Sequence, residues 1–149
     1  MKTNPRRILI SFVLFAGVTL GHAEVTWATD FAAAEARAAR EHKPLFLDFT
    51  GSDWCGYCMR LEDEVLTTAD FESFARNYVL VRLDYPRKKK LPDAEQRQNN
   101  TLRDRYGIDS YPTVIVTDPT GKELARASGF APGTPAVDYL VQFTARPAK

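Results

Sequence analysis

The sequence has few of the residues that define several common classes of small protein. Of its 149 residues only two are cysteine and two are histidine. Two cysteines are too few for a small secreted scaffold that is held together by several disulfides. The 20 basic and 19 acidic residues leave a net charge of +1, without the basic excess typical of nucleic-acid-binding proteins. With 44% hydrophobic and 26% charged residues, the composition indicates one globular domain with at most a short appendage.

Apolar runs long enough to span a membrane are also absent. The longest apolar run lies at the N-terminus. Residues 8–20 carry no charge and are mostly apolar, and they follow the basic residues Lys2, Arg6 and Arg7. The run is shorter than the roughly 18 apolar residues expected of a membrane-spanning helix. It ends in Gly21-His22-Ala23, with the small residues Gly21 and Ala23 at the positions that a signal peptidase reads. We therefore expect residues 1–23 to be a cleaved signal peptide, with an uncleaved N-terminal anchor as the alternative.

Removal of this segment changes the charge and the expected compartment. The remaining 126 residues, 24–149, form the predicted domain, with 17 Lys+Arg against 19 Asp+Glu, a net charge of −2. Such a domain has no general electrostatic attraction to nucleic acid or anionic lipid, so no nucleic-acid partner is expected. The expected location is periplasmic or secreted, where disulfides can form and be exchanged.

Short apolar runs alternate with amphipathic segments through the rest of the chain. The patterns predict an α/β fold in which a central mixed β-sheet is flanked by helices on both faces. In the last predicted helix, Val137, Leu140, Val141 and Phe143 are the core candidates. Strands are predicted over 25–27, 45–49, 79–84, 113–117 and 122–127, and helices over 31–42, 54–65, 70–78, 93–106 and 135–144.

The two cysteines stand close together, in the motif Trp54-Cys55-Gly56-Tyr57-Cys58 at the start of a predicted helix. The free N–H groups and the macrodipole of a helix N-terminus favour a thiolate at Cys55, and a thiolate is the form that attacks disulfides. Cys58 lies about one turn further on, so its sulfur can attack a mixed disulfide at Cys55 and release the substrate. Gly56 leaves room for a substrate chain to approach.

A Cys-x-x-Cys pair has two other uses in proteins. It could be half of a zinc site, but zinc needs about four ligands, and residues 24–149 add only His42. It could also be a purely structural disulfide, although closing so small a loop constrains the unfolded chain little. A redox-active dithiol is the preferred interpretation, with no metal and no cofactor.

The cysteine motif, together with Leu47-Asp48-Phe49 and Tyr111-Pro112-Thr113, resembles the thioredoxin superfamily. The resemblance covers nearly all of the predicted domain. The approach to the first cysteine, residues 49–55, and the Glu-Asp-Glu-Val-Leu segment, 62–66, look most like exported bacterial thioredoxin-like proteins. These are similar to the C-terminal domain of the thiol:disulfide interchange protein DsbD.

The resemblance implies further site residues. Pro112 would follow a cis peptide bond beside the disulfide, and an ordinary trans turn is the alternative. The backbone of Tyr111 would pair with an extended substrate segment. Asp48 would be the buried acid that helps to move the proton of Cys58, because a carboxylate in an apolar strand must be protonated, paired or hydrated. The alternative for Asp48 is a hydrogen-bonded core acid.

Other positions carry weaker expectations. Trp54, Gly56 and Tyr57 are expected to contact substrate, although Trp54 could be an ordinary core residue. Arg82 falls where thioredoxins often have a lysine near the buried acid, or else it points to solvent. Lys88–Lys90 is expected to be a solvated loop rather than a docking surface. The loop before the cysteines is one residue longer than the usual family pattern, and the Gly-Tyr dipeptide is that of the isomerase DsbC.

The expected function is that of a monomeric exported thiol–disulfide oxidoreductase. Protein or peptide disulfides are the expected substrates, and a membrane electron-donor protein is the expected partner that resets the cysteines. Two alternatives remain open from the sequence: an oxidase or isomerase that uses the same residues, and a non-catalytic binding module or chaperone that keeps the fold.

Overall fold

The computed structural model describes residues 25–144. The predicted signal peptide and its cleavage site lie outside these residues. Within them, four strands and five α-helices follow one another, and the second helix continues into a π-helical segment. In chain order they are α1 (Phe31–Glu41), β1 (Leu45–Thr50), α2 (Gly56–Leu61), the π-helix (Glu62–Leu66), α3 (Ala69–Ala75), β2 (Val79–Asp84), α4 (Asp93–Arg105), β3 (Thr113–Thr117), β4 (Glu123–Ser128) and α5 (Ala136–Val141).

The four strands form one mixed sheet in the order β2-β1-β3-β4. β1 runs parallel to β2 and antiparallel to β3, and β4 pairs with β3 as a hairpin. β1 lies inside the sheet, and all six of its residues are buried, which explains its nearly continuous apolar sequence. The predicted mixed α/β architecture is confirmed.

The sheet separates two hydrophobic cores, because successive side chains of a strand point to opposite faces. Leu45, Leu47 and Phe49 of β1 pack with residues of α1 and α4. Phe46 packs on the other face, with residues of α2, the π-helix, α3 and α5. Asp48 is two residues from Phe46 in the same strand, so its side chain lies on the face covered by α2.

Side-chain caps begin α1 and α3. The Asp30 carboxylate accepts a hydrogen bond from the Ala33 amide at 2.9 Å at the start of α1. The Thr68 hydroxyl accepts one from the Phe71 amide at the start of α3. These bonds satisfy backbone donors that have no partner inside the helix. No helix among residues 25–144 is long and apolar enough to cross a membrane.

The predicted edge strand over residues 25–27 is wrong. The only ladder contact of this segment is an isolated bridge between Ala28 and Val81 of β2. Trp27 instead packs its ring against Phe46 and stacks on Phe71. The apolar character of the segment therefore reflects side-chain packing on one core and not strand pairing.

Several predicted helix boundaries also need correction. The helix predicted over 54–65 begins only at Gly56, and the one predicted over 70–78 ends at Ala75. In the last helix, Val137 and Val141 are each 60% exposed, so the prediction that they are core residues is wrong. They lie one turn apart on the solvent face, whereas Leu140 and Phe143 are buried as predicted.

Candidate redox site

Cys55 and Cys58 form a disulfide at the N-terminus of α2, with their Cα atoms 5.2 Å apart. Cys55 is the N-cap residue of this helix, with an extended backbone, and its Sγ accepts a hydrogen bond from the Cys58 amide at 3.2 Å. A backbone N–H aimed at this sulfur also favours its thiolate form, because hydrogen bonds to the charged form of a group stabilise it. The local geometry therefore suits Cys55 as the attacking sulfur.

The loop before the motif holds both cysteines in place. The Gly51 carbonyl accepts a hydrogen bond from the Cys55 amide at 2.9 Å, and the Gly51 amide donates to the Cys58 Sγ at 3.5 Å. Both cysteines are buried in the oxidised form, with 6% and 4% of their surface exposed. Little of either cysteine is therefore in contact with solvent in the oxidised form.

The Trp54 side chain packs beside the loop that holds the cysteines. Its indole Nε1 donates to the Tyr85 carbonyl at 2.7 Å, and its ring packs edge-on against Tyr111 at 5.7 Å. A Cβ atom at Gly51 would lie only 2.5 Å from the Trp54 ring. The absence of a side chain at Gly51 is therefore required for the observed position of the indole.

Gly51→Ala is expected to displace Trp54 and to lower the free energy of unfolding by about 1–3 kcal/mol, as overpacking of a buried site does. Gly56→Ala is the matched control, because a Cβ atom there meets nothing within 4 Å. Chemical denaturation of both variants, followed by tryptophan fluorescence, measures the difference. Equal stability of the two variants would contradict the role given to Gly51.

The Tyr111–Pro112 segment lies beside the cysteine loop. Its peptide bond is cis, and Pro112 is buried. The Tyr111 ring contacts Trp54 on one side and Tyr85 on the other, with centroids 5.7 and 5.2 Å apart. Trp54, the residue before Cys55, therefore contacts Tyr111, the residue before the cis-proline.

Tyr57 and Gly56, between the two cysteines, face outward. Tyr57 is 60% exposed, and the space above Gly56 is open. An exposed aromatic ring next to an unobstructed backbone is suited to contact with a substrate chain. The structure thus places Trp54, Gly56, Tyr57 and Tyr111 around the sulfurs at one end of the sheet.

Asp48 is the only carboxyl group of β1, and it is 1% exposed. It lies opposite Arg82 in the parallel pair of β1 and β2, and its Oδ2 is 3.4 Å from the Arg82 Nε. Burial raises the pKa of Asp48 to about 7, while the Arg82 guanidinium acts in the opposite direction. The Asp48 Oδ1 accepts no hydrogen bond from residues 25–144. Asp48 can therefore exchange a proton near neutral pH.

The structure adds Glu62, which was not among the predicted site residues. Arg82 donates from Nη2 to Glu62 Oε2 at 2.5 Å and so bridges the two carboxylates. A cavity of about 240 Å³ is lined by Cys58, Arg82 and Glu62. Glu62 lies four residues after Cys58, on the same side of the helix, and this spacing was the signal that could have identified it. The cavity therefore connects Cys58 to Arg82, whose guanidinium pairs with Asp48.

Replacement of Arg82 by glutamine is expected to raise the pKa of Asp48 further above 7, because the guanidinium favours the ionised carboxylate. The control is Arg76→Gln, because Arg76 is an exposed residue at the C-cap of α3 that pairs with Glu72. The titration is measured by the carboxyl carbon resonance of Asp48. An unchanged pKa in the Arg82 variant would show that the pair has no electrostatic effect on Asp48.

Among the described residues, no group of three or more histidine, cysteine, aspartate or glutamate side chains could hold a metal ion. The chemistry available to this site comes from its two sulfurs, the buried carboxyl group and the surrounding backbone. A four-stranded mixed sheet with a cysteine-capped helix next to a cis-proline defines a thioredoxin-like protein.

Comparison with known proteins gives the same result. Residues 31–144 match the family model of the thioredoxin-like domain, and the chain belongs to this family. It is 36% identical over 112 residues to the disulfide bond reductase DsbH of Chlamydia pneumoniae, a match that covers 74% of this chain and 66% of that protein.

Solved structures show the same similarity. The chain resembles the structure of a DsbH oxidoreductase, with a TM-score of 0.72 and 35% identity, over 78% of this chain and 81% of that one. It also shares the fold of the oxidised C-terminal domain of DsbD from Neisseria meningitidis, with a TM-score of 0.55 and 20% identity, over 75% and 88% of the two chains. The predicted family membership is confirmed.

Proposed function

We propose that this protein is an exported thiol–disulfide oxidoreductase that reduces disulfides of proteins or peptides through Cys55 and Cys58. The observation that carries the proposal is the position of the Cys55 sulfur. It caps α2 and accepts a hydrogen bond from the Cys58 amide, and the space above the adjacent Gly56 is unobstructed. The direction, reduction rather than oxidation, is supported by the relative named as a disulfide bond reductase.

The first step is attack by the Cys55 thiolate on one sulfur of the substrate disulfide. A bond forms between Cys55 and that sulfur, the substrate S–S bond breaks, and the other substrate sulfur leaves as a thiolate. The backbone N–H that reaches the Cys55 sulfur supports the thiolate before attack. The product is a mixed disulfide between Cys55 and the substrate.

The second step releases the substrate and needs a deprotonated Cys58. Asp48 accepts the Cys58 proton, directly or through water in the cavity that joins Cys58 to Arg82. A pKa of about 7 suits this task, because such a group both takes up and releases a proton near neutral pH. The Cys58 thiolate then attacks the Cys55 sulfur, and the substrate leaves as a thiolate. The dithiol of Cys55 and Cys58 has thereby given two electrons to the substrate and has become a disulfide.

Substrate binding is assigned to the surface around the sulfurs. Tyr57 is exposed, Gly56 leaves the approach open, and Trp54 and Tyr111 form an aromatic wall beside Cys55. An extended substrate segment would pair with the backbone of Tyr111, before the cis-proline Pro112, by strand addition.

The partner and location form the remainder of the proposal. The protein acts outside the cytoplasm, after removal of residues 1–23, and acts as a monomer. A membrane protein that carries a reduced dithiol would return two electrons to the Cys55–Cys58 disulfide. The mass of the protein recovered from its host tests the export proposal, and an N-terminus at Glu24 is expected.

Reduction of insulin in the presence of a small dithiol tests the activity. The protein is expected to accelerate insulin precipitation. Cys55→Ser is expected to reduce the rate to the uncatalysed background, because the sulfur at the N-cap of α2 that makes the first attack is gone. Circular dichroism confirms that the variant is folded. Full activity of Cys55→Ser would overturn the assignment of the nucleophile.

The reduction potential separates the proposed reductase from an oxidase or isomerase with the same residues. Equilibration with glutathione buffers is expected to give a potential close to that of reducing thioredoxins, about −270 mV. A value near that of strong oxidants, about −120 mV, would reverse the direction of the proposed reaction. Partner capture that survives loss of both cysteines would instead indicate a non-catalytic binding module.

A further inference from the structure

The basic segment after β2, residues 87–90, is held against the loop that precedes Cys55 and is not free in solvent. Arg87, Lys88 and Lys89 each donate a backbone N–H to the Asp53 carboxylate, at 2.9, 2.8 and 3.1 Å. Asp53 lies two residues before Cys55. One carboxylate therefore holds three successive amides of the basic segment against the active-site loop.

Two more contacts join the same segments. The Ser52 amide and hydroxyl both donate to the Asp84 carboxylate, at 2.9 and 2.7 Å, and Lys89 pairs with Asp84 at 2.9 Å. The Arg87 guanidinium stacks over the Trp54 ring, 3.6 Å from its centroid. The expectation that Lys88–Lys90 is simply a solvated loop does not account for this attachment.

The cations of this segment differ in their pairing. Lys89 is paired with Asp84, and Lys90 with Asp93 at 3.3 Å. Arg87 and Lys88 form no ion pair with a carboxylate of residues 25–144, because Asp53 is engaged with backbone amides. Both side chains are exposed. The segment therefore presents two unneutralised positive charges beside the cysteines of a domain whose net charge is −2.

The geometry of Arg87 suits recognition of a carboxylate. A guanidinium that stacks on an aromatic ring keeps its N–H groups at the edge, where they can bind a carboxylate through two hydrogen bonds. A cavity of about 420 Å³ adjoins it, and its lining includes Arg87, Lys88, Gln96 and Asn100 together with Asp84, which is paired with Lys89. Because the backbone is already fixed by Asp53, little ordering is needed when a ligand binds.

We propose that Arg87 and Lys88 form a docking surface for an acidic segment that flanks the reactive disulfide of the protein substrate. The surface lies next to Trp54, so a substrate with its sulfur at Cys55 would place neighbouring carboxylates against these two cations. This inference rests on the proposed disulfide exchange and adds a preference among substrates. Complementary charge at such a surface acts mainly on the rate of association.

The test uses three two-chain peptides, each joined by one disulfide and identical except that the residues flanking one cysteine are Glu, Gln or Lys. The rate constant for their reduction by the reduced protein is measured by stopped-flow tryptophan fluorescence. At low ionic strength the Glu peptide is expected to react about tenfold faster than the Gln peptide, and the Lys peptide is expected to be the slowest. The Glu preference is expected to decline in about 0.5 M NaCl.

The double variant Arg87→Gln, Lys88→Gln is expected to bring the Glu-to-Gln rate ratio close to one. The matched control is Arg40→Gln, Arg97→Gln, which removes the same charge from exposed positions on α1 and α4. The control is expected to keep the ratio of the original protein. A ratio that survives in the Arg87, Lys88 variant would overturn the proposal, including the case in which all three rates fall equally.

The remaining outcomes separate this inference from the proposed function. Equal reduction of all three peptides by the original protein would overturn the docking surface and leave the reductase activity established. No reduction of any peptide would overturn both. Inhibition by inorganic phosphate beyond that of NaCl at equal ionic strength would identify a site for small anions and would overturn the assignment to an acidic peptide.

Discussion

Cys58→Ser is expected to stop turnover and to accumulate a covalent mixed disulfide between Cys55 and the substrate. The first attack needs only Cys55, whose sulfur keeps its place at the start of α2, whereas release of the substrate needs the sulfur of Cys58. With a disulfide peptide and no small thiols present, about one adduct per chain should form. Mass spectrometry under non-reducing conditions measures the adduct, which a reductant should remove.

The comparison with Cys55→Ser makes this prediction specific. In that variant the remaining sulfur, that of Cys58, belongs to a residue inside α2 and not to its N-cap, where a thiolate is favoured, so little or no adduct should form. The same amount of adduct in both variants would show that the two sulfurs are interchangeable. An adduct on Cys55→Ser alone would reverse the two roles.

Asp48→Asn is expected to stabilise the folded protein above neutral pH and to slow its catalytic cycle. The pKa of Asp48 is raised from 3.8 to about 7 by burial, so between these pH values the folded state binds more protons than the unfolded state. The contribution of Asp48 to stability therefore falls as the pH rises from about 4 to about 7. Asparagine removes this loss, and at pH 8 the free energy of unfolding should rise by up to about 4 kcal/mol.

Urea denaturation at pH 5 and pH 8 measures the stability effect, with Asp109→Asn as the control because that carboxylate is exposed. The catalytic effect is a separate readout. Without a group to accept the Cys58 proton, turnover at pH 7 is expected to fall by at least about tenfold. A gain in stability over the original protein that is no larger at pH 8 than at pH 5 would contradict the raised pKa. Unchanged turnover would contradict the role in proton transfer.

The sheet was predictable because its strands carry a clear pattern. β1 and β2 are nearly continuous apolar runs, as strands covered on both faces must be, and an acid inside β1 drew attention to Asp48. The segment around Trp27 has the same local character, yet it packs by its ring and bridges the sheet only at Ala28. A short apolar stretch does not reveal whether its backbone or its side chain makes the contact.

The exposed valines of α5 show a second limit of the sequence pattern. Val137 and Val141 share one helix face, as do Ala136 and Leu140, so both stripes are suitable for burial. The structure turns the stripe with Leu140 toward the core. That choice depends on how the helix docks against α3 and the π-helix, which is a tertiary effect.

At the site, local motifs were enough to identify the two cysteines. The sequence left open whether Arg82 lies near Asp48 or points to solvent, and the structure places the two residues opposite each other. The contacts of Asp53 could not be predicted, because they join residues more than 30 positions apart. The only indication was the extra residue in the loop before Cys55. A polar residue in a longer loop has many uses, and only the folded chain shows which backbone amides it meets.

The attachment made by Asp53 has a consequence for the exchange of loops between relatives. The segment with Arg87 and the loop with Asp53 are distant in sequence, yet each provides what the other needs. A chimera that receives residues 86–91 as a loop of different length, or with proline at positions 87–89, would leave the Asp53 carboxylate without matching amide donors, and the grafted loop without its anchor. The two segments therefore depend on each other. A change of substrate preference by recombination would require both loops to be exchanged in the same chimera.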